Sequence, residues 1–149
     1  MGDETIAALR FRSMWGSLAT AESADGCWSF KRVGFFKTRI TVRQCDSEQD
    51  IAAYYPNTWS QGGTIEFPDG RKYKASTNFW MTKVEITDET DSVFIRYNIG
   101  GFFRQSALVE VLPTALHLPE LPMMVMLGWY LIILMHQDSA AVAAVAASA

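Results

Sequence analysis

The residues best equipped for chemistry in this chain are its cations, which gather at Lys31/Arg32, Arg39/Arg43 and Arg71/Lys72/Lys74. Each group lies in a segment that reads as a β-strand. Two such strands brought side by side would form a cationic patch suited to anionic phosphate headgroups. Lys31, Arg32, Arg71 and Lys72 are the candidate ligand-binding residues of that patch, and the plain alternative is a set of ordinary solvated strand faces. The other reactive residue types do not converge. His117 and His136 are about nineteen positions apart, far from a His-x3-5-His metal spacing, and neither falls in a ligand or triad pattern. Both are expected at helix ends. No serine has a glycine two positions before it, so the Gly-x-Ser-x-Gly nucleophile elbow is absent. Asp88, Glu89 and Asp91 lack the order and closing Glu of a calcium loop and read as a hairpin turn. Gly100-Gly101 is followed by no Lys-Ser/Thr and also reads as a turn.

Cys27 and Cys45 are too few for a disulfide framework, and the polar, acidic start Met1–Glu4 lacks the basic and apolar regions of a secretory signal. The expectation is two reduced, small packing residues in a reducing compartment. Together these readings imply a non-enzymatic protein with no metal and no cofactor.

The net charge is −3 and the pI about 5.3, which argues against nucleic acid as a partner, since polyanion binders carry a basic excess. The charge is unevenly spread, however. Every Lys and Arg precedes position 105.

The elements that must position these residues are mostly strands. Short β-rich runs, separated by Gly, Asp, Asn and Pro signals, continue through residue 112 at the spacing of a sandwich or barrel. Asp25-Gly26 and Asp69-Gly70 are candidates for type I′ hairpin turns. Ile40/Val42, Ile65/Phe67, Val84/Ile86 and Val93/Ile95/Tyr97 alternate as inward faces. At 149 residues, one domain is expected over 1–138, followed by an Ala-rich tail at 139–149 that frays or prolongs the last helix.

That last helix, expected over about 120–137, contains the apolar run Leu121–Met135, which must be hidden from water. Fifteen residues of helix rise about 22 Å, short of the ~30 Å hydrocarbon core of a bilayer. Lengthening the run upstream takes in His117 and Glu120, and no cationic flank lies near either end. From Met123 to Met135 no polar stripe appears, the pattern of a helix enclosed on all sides. Gly128 costs about 1 kcal/mol of helix propensity, which close approach of a neighbouring backbone would explain. Burial in protein is therefore expected over a C-terminal membrane anchor, the alternative.

This plan resembles the tubby C-terminal-like superfamily, which includes the phospholipid scramblases and the LURP-one-related proteins. The likeness rests on Gly26–Arg32, on Gly63–Tyr73, on Phe79-Trp80, and on Leu118–Pro122 leading into the run through Leu134. It implies a mainly β protein, a closed antiparallel barrel of about 10–12 strands around one hydrophobic C-terminal helix. It further implies a non-catalytic binding or scaffold module in the cytoplasm, monomeric, contacting an anionic phospholipid or a protein partner at a membrane face. The Pro-rich extension and acylated cysteine cluster of scramblases are missing, so lipid scrambling is not implied. A helix filling the barrel also leaves no interior ligand chamber.

Overall fold

The computed structural model describes residues 7–11, 17–57, 62–78, 80, 82–100 and 106–148. Ten strands follow one another: β1 (Ala7–Phe11), β2 (Ala19–Ser23), β3 (Gly26–Val33), β4 (Arg39–Gln44), β5 (Asp50–Pro56), β6 (Gly63–Glu66), β7 (Lys72–Thr77), β8 (Lys83–Thr87), β9 (Val93–Gly100) and β10 (Ser106–Val111). A 3-10 turn at Pro113–Ala115 leads to a single helix, α1 (Leu121–Ser148). The strands form one antiparallel meander in which each pairs only with its neighbours in sequence.

Alternation decides which face is inward. Ala19/Ala21, Trp28/Phe30, Ile40/Val42, Ala52/Tyr54, Tyr73/Ala75 and Val84/Ile86 are buried at every second position, as the pleat requires. The inward faces expected from sequence hold, with one adjustment. A register shift between Ile86 and Thr87 slides the β8–β9 pairing, so Phe94 joins Ile95 and Tyr97 in the core while Val93 is only partly covered.

The sheet curls about α1. Phe11 of β1 stacks on Tyr130 at 5.6 Å and Phe30 of β3 tilts against the same ring at 5.3 Å. From the other side, the Tyr97 hydroxyl of β9 donates to the Val125 carbonyl at 2.6 Å. One helix thus touches strands from both ends of the meander. Yet β1 and β10 remain sheet edges, and no hydrogen-bonded pairing joins them. The observed fold is a sheet wrapped round a helix without a ring closed by hydrogen bonds, and the closed barrel expected from sequence is not reached at this level.

Met124, Leu127, Tyr130 and Ile132 are fully buried, each contributing about 1.5–3 kcal/mol of apolar transfer. The apolar run therefore lies in protein. Among the described residues no helix is long and apolar enough to cross a membrane. Gly128 is explained by a side chain and not by a backbone: a Cβ there would collide with the Tyr97 hydroxyl and ring. Helix α1 starts at Leu121, one residue after Glu120, whose carbonyl accepts the Met124 amide at 2.9 Å. It continues to Ser148, so the Ala-rich segment prolongs it. His136 consequently stands inside the helix and bonds the Ile132 carbonyl through Nδ1 at 2.9 Å; it does not end it.

Three further expectations are corrected. Cys27 and Cys45 form a disulfide across neighbouring strands, with Cα atoms 5.4 Å apart. Their spacing alone concealed this, because it is the β3–β4 register, Trp28 opposite Gln44, that sets them face to face. The reduced-thiol expectation, drawn from the polar, acidic start of the chain, is the one overturned; disulfides persist in oxidising surroundings. The β2–β3 turn is Ala24–Asp25, neither at positive φ, so it is not type I′. At β6–β7 the loop is Pro68-Asp69-Gly70, with Phe67 O accepting from Gly70 N at 3.0 Å and only Gly70 at positive φ. That is the three-residue hairpin form.

Candidate functional site

A ten-strand meander sends alternate connections to opposite ends, so the molecule has two rims. One rim gathers the β2–β3, β4–β5, β6–β7 and β8–β9 turns and the start of α1. Its sequence is acidic: Asp25, Asp46, Glu48, Asp69, Asp88, Glu89 and Asp91 lie in those turns, with Arg71 following one of them. The other rim gathers β1–β2, β3–β4, β5–β6, β7–β8 and β9–β10. The connecting segments 12–18, 34–38, 57–62, 78–82 and 101–105 contain no Asp or Glu; in sequence they carry Arg12, Lys37, Arg104 and repeated Trp and Phe.

At the acidic rim a cavity of about 820 Å³ opens between the Cys27–Cys45 disulfide, the β6–β7 loop and Glu120. Its centrepiece is Arg71. The guanidinium reaches Glu120 through both Nη atoms, at 3.2 and 2.5 Å, and Asp69 through Nε at 2.7 Å, while lying 4.7 Å above the Phe67 ring. Hydrogen bonding to Arg71 holds the Glu120 carboxyl below the usual carboxylate range, and bonds from the Arg71 backbone and side chain do the same for Asp69. Those bonds in turn raise the affinity of Arg71 for its proton. A cation bound this way is a bidentate clamp joining a strand hairpin to the helix start. Among the described residues that line the cavity Arg71 is the only cation, so this hollow is acidic in character.

Lys72, the neighbour of Arg71, pairs with Glu66 at 3.4 Å. Lys31 and Arg32 lie elsewhere. Their partners in β4 are Thr41 and Ile40, near the opposite rim, and β4, β5 and β6 separate them from β7. Four strand spacings along the sheet amount to roughly 19 Å. Lys31 and Arg39 thus share the outer parity of the β3–β4 hairpin, Arg32 takes the inner parity of Phe30, and none of the three lies near Arg71 or Lys72.

Around Lys31 and Arg32 the geometry is firm. The Arg32 amide donates to Ser17 Oγ at 3.2 Å, and the Tyr130 hydroxyl donates to the Ser17 carbonyl at 2.5 Å. Burial pushes the Tyr130 hydroxyl up to about 12, so at neutral pH it is a donor and not a base. Burial raises Tyr97 likewise. Beyond β3 the chain turns through Gly34, which is at φ +97 and where a Cβ would strike the Lys37 carbonyl. The tip of that hairpin holds Phe35 and Phe36, 90% and 94% exposed, in edge-to-face contact at 4.9 Å.

Sequence reasoning missed these rings and Lys37, because it asked which segments were strands and not what the connection between two of them presents. The signal was there: GFFKT places two large apolar residues outside either strand's alternation. Trp80 is 77% exposed on the β7–β8 connection of the same rim, and its neighbour Phe79 lies outside the described residues. Among the described residues no group of His, Cys, Asp and Glu could hold a metal ion. Asp88, expected in a turn, accepts from the Thr90 amide and hydroxyl and the Ser92 amide at 2.7–3.0 Å, which holds its carboxyl low. Compared with known proteins, the chain matches no family model, no curated protein and no solved structure.

Proposed function

We propose that this chain is a non-catalytic binding module of the tubby-like plan whose ligand is an anionic lipid headgroup surface. The observation that carries the reading is the β3–β4 hairpin. Lys31, Arg32, Lys37 and Arg39 lie there within one turn of chain, with no carboxylate between Asp25 and Asp46. A local cationic surface attracts anionic lipid even on a protein whose net charge is −3. Lys31 and Arg32 keep their proposed role. Arg71 and Lys72 lie four strands away at the opposite rim and form a separate group with Asp69, Glu120 and Glu66. The closed barrel of the tubby-like plan would require β1 and β10 to meet through side chains and not through backbone pairing.

The test is co-sedimentation of the full chain, disulfide intact, with phosphatidylcholine vesicles with and without phosphatidylserine. Binding should require phosphatidylserine, weaken with salt, and drop by about fivefold per cation removed in Lys31→Gln and Arg32→Gln. Equal binding to neutral and anionic vesicles, or none to either, would overturn the reading.

A further inference from the structure

We propose that the molecule docks end-on against an anionic bilayer, seating Phe35, Phe36 and Trp80 in the interfacial layer and turning its acidic rim toward water. This rests on the lipid reading above and adds the face and the mode of contact.

Exposure provides the first support. Phe35, Phe36 and Trp80 are 90%, 94% and 77% accessible, and they sit on β3–β4 and β7–β8, which the meander places at one end. A Phe left in water forgoes about 1.5–3 kcal/mol of available burial, so three such rings on one rim have a use outside the core. Neither connection is loose at its base. Gly34 fixes the turn before Phe35. Asn78 Oδ1 accepts from the Thr82 and Lys83 amides at 2.9 and 3.1 Å, and its Nδ2 donates to Thr82 Oγ1 at 2.8 Å, bracing the turn that carries Trp80. The first tip is set by the backbone turn at Gly34 and the second by the Asn78 bonds. A ring presented in advance loses little freedom on insertion.

Charge sets the direction. Lys37 and Arg39 follow the two phenylalanines, and no strand connection at this rim contains an acid in its sequence; the far part of α1, which runs from the other rim to Ser148, contributes the single acid Asp138. The opposite rim carries its carboxylates in every strand turn. An anionic surface would draw in the first rim and repel the second, so the field aligns the molecule before the rings make contact. Aromatic rings then lodge at headgroup depth, where they are favoured. Single-stranded nucleic acid also likes cations with aromatics, but it binds grooves and sheet platforms on which bases stack in succession. Here the rings stand on loop tips and the net charge is negative. A bilayer is the better fit.

The experiment uses the full chain with its disulfide intact and phosphatidylcholine vesicles containing phosphatidylserine. Phe35→Ser/Phe36→Ser should bind at least about tenfold more weakly than the unaltered chain. Leu116→Ser, which removes a 68% exposed apolar residue following β10 at the acidic rim, should bind unchanged. In a second measurement, Phe36→Trp should add emission that is quenched by brominated acyl chains. Full binding by the double serine variant, equal loss in Leu116→Ser, or an unquenched Trp at position 36 would overturn the end-on mode while leaving anionic binding through Lys31 and Arg32 standing. If the unaltered chain ignores anionic vesicles, both proposals fall. Tighter binding to a single-stranded DNA oligomer than to vesicles would also overturn this one.

Discussion

The two rims are built from the same sheet and joined by the same helix, yet they are secured in different ways. At the acidic rim the Cys27–Cys45 disulfide ties β3 to the end of β4, and Arg71 fastens the β6–β7 loop to the first turn of α1. Phe67, there, is 7% exposed and lies under the Arg71 guanidinium. At the aromatic rim the ties among the described residues lie at loop bases, through Ser17, Arg32 and Tyr130 on one side and Asn78 on another. The rings above those ties project. One end thus spends its polar and covalent contacts on holding the fold closed, while the other keeps apolar area in reserve for contact outside the molecule.

The largest expected effect comes from cutting the covalent tie. The disulfide closes a loop with sequence separation 18, and loop-closure entropy puts its loss at about 3 kcal/mol. Cys27→Ser/Cys45→Ser should lower the urea midpoint accordingly, and reductant should do the same to the unaltered chain. Vesicle binding, at the other rim, should survive in buffer where the variant is folded. An unchanged midpoint would mean that the acidic rim is held by Arg71 alone.

Gly128→Ala comes next and acts on both rims at once, through the helix they share. In an exposed helix this change gains about 1 kcal/mol of propensity. Here the added methyl meets the Tyr97 ring and hydroxyl, and overpacking of that kind costs about 1–3 kcal/mol. The sign should reverse, giving a lower midpoint in chemical unfolding. A stabilised variant would show that Tyr97 does not lie across the helix as described.

These two cases mark what a linear reading can and cannot reach. The plug was legible because a helix apolar on all sides has few places to go, and Leu127, Tyr130 and Ile132 are indeed wholly buried. The meander was legible because period-two alternation at Ile40/Val42 or Val84/Ile86 needs no tertiary information. The Cys27–Cys45 bond depends on hairpin register, and the Arg71–Glu120 clamp joins groups 49 residues apart, so neither follows from spacing. Grouping Lys31, Arg32, Arg71 and Lys72 overlooked a topological point. In a meander, cations at the end of β3 and the beginning of β7 lie at opposite rims. The exposed Phe35 and Phe36 were missed for a related reason, since only the parity of the connections reveals which loops share an end.

A smaller effect tests the ionic tie. Hydrogen bonding to Arg71 depresses the Glu120 carboxyl below its ordinary value of 4.5, so the pair's contribution is present above the usual carboxylate range and is lost as pH falls through the depressed folded value. Both side chains are partly exposed, 38% for Arg71 and 24% for Glu120, which limits the contribution to about 1 kcal/mol. Glu120→Gln should therefore reduce stability slightly at neutral pH and flatten its decline in acid, as followed by urea midpoints across pH. A steeper acid decline in the variant would contradict the assigned role.

The smallest change in stability should come from the residues most needed at the membrane. Phe35 and Phe36 touch each other at 4.9 Å but project from the core, so truncating both forfeits little burial. The turn itself depends on Gly34, which Phe35→Ser/Phe36→Ser leaves in place. The cost should stay within about 0.5 kcal/mol, the usual range for surface substitutions, and exchanging exposed rings for hydroxyls should also raise solubility. A midpoint shift as large as that of the disulfide variant would mean the rings pack on the fold in solution. The two rims would then differ in charge alone, and the contrast between a fastened end and a presented one would disappear.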